Sequence, residues 1–202
     1  MKIIFIFGPQ SVGKMSVGQE LEKLIGLKLF HGHMTSDIIS PFFPYPNSDE
    51  GRRLVNLYRW EFFKSVSKSS LEGIIYTFVW MFETNKDADF AKKIKIDLPR
   101  EDRKFINKVY KLFKRRSADV YFVELEADLS RRLERNKTPN RLFHKPPKRD
   151  IIVSENRLLG TERNYRVNSI EGEVGYKNYI RINNTNLQPC EVAHIIANSI
   201  SG

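Results

Sequence analysis

Two periods of apolar residues alternate along the chain. Ile3-Ile4-Phe5-Ile6-Phe7 is an unbroken β-branched and aromatic run, the pattern of a strand buried on both faces of a parallel sheet. Similar short runs predict strands over residues 27–31, 73–80, 119–125 and 178–182. Between them the apolar positions recur every three or four residues, as on one face of a helix. Val17, Leu21, Leu24 and Ile25 form one such stripe, stopped by Gly26, and Leu54, Leu57, Tyr58, Phe62 and Val66 form another. Phe105, Ile106, Val109, Leu112 and Phe113 follow Pro99, and Leu129 and Leu133 follow Asp128 as an inward pair. A helix-like stretch reaches about residue 159, and Val192, Ile195, Ile196 and Ile200 mark a closing helix. Pro41, Pro44 and Pro46 break the chain before a helix start at Asn47-Ser48-Asp49-Glu50, and Asp87 and Asp89 read as helix-start residues.

Five strands separated by helices predict a three-layer, doubly wound α/β fold around a mostly parallel five-stranded sheet. No internal repeat or linker interrupts the pattern, so residues 1–202 read as a single domain.

The turn after the first strand is Gly8-Pro9-Gln10-Ser11-Val12-Gly13-Lys14-Met15. It fits the phosphate-binding pattern G-x-x-x-x-G-K-[ST] at every place but the last. In such a loop the backbone N–H groups and a helix N-terminus face the nucleotide phosphates while the lysine reaches the β and γ groups. Strand, glycine loop and amphipathic helix arrive in the required order. Gly8, Gln10, Ser11, Val12, Gly13, Lys14, Met15 and Ser16 are therefore the candidate nucleotide-binding residues. Met15 is the departure, because the usual hydroxyl there binds Mg²⁺ and a thioether is too soft for that cation. Ser16 offers a hydroxyl, acting on Mg²⁺ through water, one helical position further and turned by roughly 100°.

Bulk properties narrow the partners. With 41% hydrophobic and 29% charged residues in 202, the chain is long enough to bury a sizeable core. No apolar stretch approaches the roughly 20 residues of a membrane span, and Met1-Lys2 leads straight into the first strand, so no membrane partner and a cytoplasmic location are expected. The lone Cys190 excludes an intramolecular disulfide and reads as packing in the last helix. A net charge of +10 favours anionic ligands without choosing between ATP, a phosphorylated metabolite and nucleic acid.

The excess is concentrated at Arg131, Arg132, Arg135, Lys137, Arg141, Lys145, Lys148 and Arg149. From about residue 136 to 150 this basic stretch carries three prolines, which predicts a mobile lid that closes over phosphates, excludes water and delivers arginines. An RNA-binding arm shares that composition, although Phe143 is its single aromatic residue for base stacking. Residues of about 33–70 are the expected acceptor-binding lobe. His31 and His33 follow the second strand where open α/β sheets place ligands. A metal reading of the pair lacks accompanying ligands, which leaves hydrogen bonding to substrate or a structural role. Arg53 and Trp80 are the other candidate substrate contacts, while Glu101 and Asp102 read as first-turn acids of the helix after Pro99.

The loop, together with Arg135-Asn136-Lys137-Thr138-Pro139-Asn140-Arg141-Leu142 and Ile182-Asn183-Asn184-Thr185-Asn186-Leu187-Gln188-Pro189, resembles the small-molecule kinases of the P-loop superfamily, nearest to the shikimate and gluconate kinase group. The resemblance implies a strand order of 2-3-1-4-5 and ATP with Mg²⁺ as cofactors. It also implies Lys14, Arg135 and Arg141 as catalytic residues, Arg135 near the adenine, and Asn184, Thr185, Asn186 and Leu187 beside the base. The acidic residues that shikimate kinases carry after the second strand are replaced by His31-Gly32-His33, so shikimate is not the expected acceptor. The chain is also similar to P-loop ATPases with a GKM loop and no assigned substrate. The expectation is transfer of the γ-phosphoryl group of ATP to a small-molecule acceptor by a monomer or homodimer. An ATP sensor without transfer, favoured by Met15, and a kinase of RNA or polynucleotide ends, favoured by the charge, remain the alternatives.

Overall fold

The computed structural model describes residues 1–43, 48–85 and 97–200. Pro44, Pro46 and Asn47, and Asp87 and Asp89, which the sequence assigns to a loop break and to helix starts, lie outside the described residues.

The elements run β1 (Lys2–Phe7), α1 (Lys14–Ile25), β2 (Lys28–His31), α2 (His33–Ile39), α3 (Asp49–Lys68) and β3 (Gly73–Thr77). There follow β4 (Glu83–Thr84), α4 (Leu98–Lys114), β5 (Asp119–Glu126), α5 (Leu129–Asn136), α6 (Pro139–His144), a 3₁₀ turn (Pro146–Lys148) and α7 (Ile151–Asn164). The chain closes with β6 (Tyr165–Arg166), β7 (Tyr179–Asn183) and α8 (Pro189–Ile200). The main sheet is parallel throughout, in the order β2-β3-β1-β5-β7. Numbered by its five strands alone, that is 2-3-1-4-5. The short β4 and β6, which the periodicity does not reveal, pair antiparallel beside it. The third strand ends at Thr77 and not at Trp80.

Side-chain alternation along β1 divides the core in two. Ile3, Phe5 and Phe7 enter a largely aromatic layer with Phe63, Tyr76, Phe113 and Phe122. Ile4 and Ile6 enter an aliphatic layer with Val17, Leu21, Ile75, Val192 and Ile196. Each layer is fully buried at its centre, so a one-residue shift in register would exchange their contents and is strongly disfavoured.

Several helical faces differ from those the spacing predicts. In α1 Leu24 is exposed while Met15, Val17 and Leu21 are buried. In α3 Leu57 and Tyr58 are exposed and the inward line runs through Val55, Phe63 and Val66, with Arg59 half-buried on the same side. In α5 the inward positions are Arg132 and Asn136 instead of Leu129 and Leu133, because this helix packs against a polar junction. In α8 Ile195 is exposed, and so is Cys190, which is not a packing residue. No described helix is long and apolar enough to cross a membrane.

Candidate functional site

The glycine loop is held against the sheet by its own stereochemistry. Gly8 has φ +136° and a Cβ there would lie 2.2 Å from the Leu125 carbonyl oxygen, so only glycine fits. Ser11 and Gly13 also adopt positive φ, at 60° and 107°, and α1 begins at Lys14 with no side chain capping its first N–H groups. Those donors are left for an anion. The Lys14 ammonium donates to the Gly8 and Pro9 carbonyls at 2.7 and 2.6 Å. Burial, and then the charges of Lys145, Arg141 and Arg132, hold its pKa well below the usual lysine range. Met15 is buried in the core, and the Ser16 hydroxyl accepts from Asn140 Nδ2 at 3.1 Å.

A second set of contacts fastens the loop from above. Asn136 Oδ1 accepts from Ser11 Oγ at 3.1 Å and from Ser154 Oγ at 3.0 Å, joining the loop to α5 and α7 inside the protein. Gln10 Nε2 donates to Thr161 Oγ1 on α7 at 2.9 Å. Arg135 donates to the Val12 carbonyl at 3.1 Å and to the carbonyls of Asn184, Thr185 and Leu187 at 2.7–3.4 Å. Asn184 Nδ2 returns a bond to the Val12 carbonyl at 2.8 Å. Arg135 therefore clamps the turn after β7 onto the phosphate loop, and its donors are used by carbonyls instead of pointing at a transferring group. Asn184 and Leu187 line the cavity and Asn186 is exposed; Thr185 Oγ1 accepts from the Asp128 N–H at 3.1 Å.

The proline-broken stretch predicted as a loop contains α6 and the 3₁₀ turn instead. Pro139 occupies the first turn of α6, where its missing N–H costs nothing. This segment, where the lid is expected, lies against the first turns of α1, with Asn140 bonded to Ser16 and Gln19. Beneath it one cavity of about 2070 Å³ runs from the loop past α2 to α4, larger than a single drug-sized ligand requires. Arg141, Lys145 and Lys148 line it from the lid. Burial, then neighbouring cations, lowers Lys145 to about 7 and Lys148 to about 8, and burial lowers Arg141 to about 10.

The acceptor candidates separate. His33 lines the cavity, while His31 is half-buried beside it with Nδ1 lacking a hydrogen-bond partner among the described residues. Burial, then Lys145, pushes both imidazoles down, His31 to about 4, so both are neutral near pH 7. Trp80 does not line the cavity; it is 3% exposed and packs on Phe7 and Phe82 in the aromatic core, because the chain turns inward after β3. Arg53 is exposed on the outer side of α3 and does not line the cavity either. The arginines of α3 that do are Arg52 and Arg59, the latter donating to the Gly32 carbonyl at 2.8 Å and to Thr35 Oγ1 at 3.0 Å.

Sequence reasoning missed Asp102 as a site residue. It reads as an ordinary first-turn acid, but it lines the cavity and accepts from the Met81 N–H at 3.0 Å. Burial raises its carboxyl to about 7, against the opposing pull of that bond and of Arg59. Only the packing of α4 over the end of β3 reveals this. Among the described residues no three His, Cys, Asp or Glu side chains group to hold a metal. The oxygen donors lining the cavity near the lid, Ser16 and Asp37, fit a magnesium ion whose other ligands are water and nucleotide phosphate.

No family model matches the sequence, and no curated protein matches it. The structure, by contrast, superposes on solved kinases over almost its whole length. A sugar kinase from a Janibacter species is 13% identical at a TM-score of 0.57, covering 100% of this chain and 95% of its own. A putative kinase from Chloroflexus aurantiacus is 10% identical at 0.60, covering 99% and 96%. A gluconokinase from Sinorhizobium meliloti is 15% identical at 0.53, covering 99% and 91%. The chain shares the α/β fold of these solved kinases. Within that fold the loop after β1, the lid between α5 and α7, and the crevice at the carboxyl ends of β2 and β3 meet in one cavity.

Proposed function

We propose that the protein is an ATP-dependent phosphotransferase acting on a hydroxyl of a small metabolite other than shikimate. The observation that supports this most is the meeting of an uncapped helix N-terminus and Lys14 with the lid cation Arg141 across a cavity spacious enough for two substrates. The nucleotide base sits against the turn of Asn184 to Leu187, and its phosphates lie on the loop amides. Arg135 holds that turn in place, and Lys14 and Arg141 offset the charge that spreads over the transferring group. Ser16 and Asp37, which line the cavity, would hold a magnesium ion through water, and the ion would supply part of the same charge neutralisation.

The acceptor occupies the crevice between Gly32-His33, Arg59 and Asp102. Its hydroxyl oxygen forms a new bond to the γ-phosphorus as the bond to the β–γ bridging oxygen breaks. The hydroxyl proton passes to the Asp102 carboxylate, whose pKa near 7 suits a base working at neutral pH. Neutral His33 orients the acceptor by hydrogen bonds, with His31 beside it.

A screen of a metabolite pool for ATP-dependent phosphorylation tests the reading. The wild-type protein is expected to yield a phosphorylated product and the Lys14→Ala variant none. Full phosphorylation by Lys14→Ala would exclude the loop as the catalytic centre. Met15 carries a second reading, a nucleotide sensor without transfer. That reading predicts tight ATP binding, no product from any acceptor, and no gain on Met15→Ser.

A further inference from the structure

The basic stretch treats its cations in two ways. Some are paired: Arg132 with Glu162 at 2.8 Å, Lys137 with Glu155 at 3.2 Å and Arg131, which lines the cavity, with Glu134 at 2.6 Å. Inside it, Arg141, Lys145 and Lys148 have no side-chain hydrogen bond or ion pair among the described residues, and Arg141 Nε is buried without a partner. Arg157, projecting into the same cavity from α7, is equally unpaired and acts electrostatically on Lys148. Like charges gathered in a partly desolvated space repel one another. Among the described residues the carboxylate that acts on Lys145 and Lys148 is Asp37.

The loop amides, Lys14 and Arg141 already answer the phosphates of a nucleotide. Lys145, Lys148 and Arg157 are surplus to that task. Lys145 acts on Lys14 on one side and on His31, His33 and Asp37 on the other, which places it between the phosphate loop and the acceptor crevice. Lys148 acts on His33 and Asp37 as well. The unpaired charge thus continues past the nucleotide into the space for the second substrate.

We propose that the phosphoryl acceptor is itself a phosphorylated small molecule, its existing phosphate held by Lys145, Lys148 and Arg157 while a separate hydroxyl faces the nucleotide. This rests on the kinase reading above and names the class of its second substrate. A phosphate dianion brought among these three cations removes their mutual repulsion, and it accepts from ammonium and guanidinium donors in charge-assisted bonds. Neutral polyols gain nothing from them.

The test is calorimetric titration of inorganic phosphate into protein saturated with Mg²⁺ and the non-hydrolysable analogue AMP-PNP, so that the γ-phosphate position is already filled. One saturable phosphate site is expected, with affinity falling about tenfold or more in Lys148→Ala and in Arg157→Ala while AMP-PNP affinity stays within about twofold. Neither side chain has an internal partner to lose, and Lys148→Gln with a thermal melt separates lost binding from lost folding. Absence of saturable phosphate binding to the loaded wild-type protein overturns the inference, as does binding that both variants leave intact. Acetate displacing phosphate with equal affinity overturns the phosphate class in favour of a carboxylate. Failure of AMP-PNP itself to bind overturns the kinase reading, and is seen before any phosphate is added.

Discussion

The two ends of the cavity satisfy their polar groups by opposite means. At the end beneath the turn after β7, Arg135, Asn184 and Asn136 bond to carbonyls and hydroxyls of the protein, so that turn, the glycine loop and α7 form one internally bonded unit. At the lid end Arg141, Lys145 and Lys148 have no internal partner among the described residues. A network closed within the protein stabilises the fold. An array of unpaired cations costs stability until a ligand arrives, and that difference separates scaffold from binding surface more sharply than residue type does, since an arginine serves each.

Five experiments sharpen the contrast. The largest effect is expected for Lys14→Ala, which removes the one loop side chain able to follow the transferring phosphoryl group; kcat/KM should fall about 10²–10³-fold or beyond detection. Next, Arg135→Ala and Arg141→Ala should part company. The former removes the bonds that clamp the turn after β7 onto the Val12 carbonyl and should lower unfolding free energy by about 1–3 kcal/mol in denaturant titrations. The latter should leave stability unchanged or raised while weakening nucleotide binding. Equal destabilisation by both would erase the distinction drawn here.

Third, ligand binding at the lid should take up protons. Lys145 is held down to about 7 by burial and by Arg141 and Lys148, opposed by Asp37. A bound anion restores its pKa, so phosphate affinity should fall as pH rises from about 7 to 9. Calorimetry in buffers of different ionisation enthalpy reads that uptake directly. Asp102 works in the opposite sense, because it must be ionised to accept a proton. Turnover should rise with pH through about 7 and lose that limb in Asp102→Asn. The smallest effect is expected for Met15→Ser, a gain in magnesium-supported rate of a few-fold, since Met15 is buried and a hydroxyl there must first find its place.

Local signals made much of this legible. The spacing of Gly8, Gly13 and Lys14 announced the phosphate loop because the requirement is for particular backbone angles, and glycine meets them wherever the chain goes. The central strands β1 and β3 were readable because a strand buried on both faces is apolar at nearly every position. The inward faces of α3 and α5 were misread for the converse reason. Arg59, Arg132 and Asn136 point inward to satisfy partners far along the chain, and apolar periodicity registers no polar burial. Trp80 and Arg53 failed as site residues because a side chain's distance from a motif in sequence says nothing of the direction in which the backbone turns.

What the amino-acid order determined by itself was a phosphate loop on a layered α/β frame and a concentration of positive charge downstream of it. Those are properties of neighbouring residues and survive any arrangement of the rest. Tertiary packing alone decided which arginine clamps and which waits, and it raised an unremarkable first-turn aspartate to a pKa near neutrality. Partnering and desolvation depend on what lies across the cavity, and groups that meet there are contributed by helices up to a hundred residues apart or more.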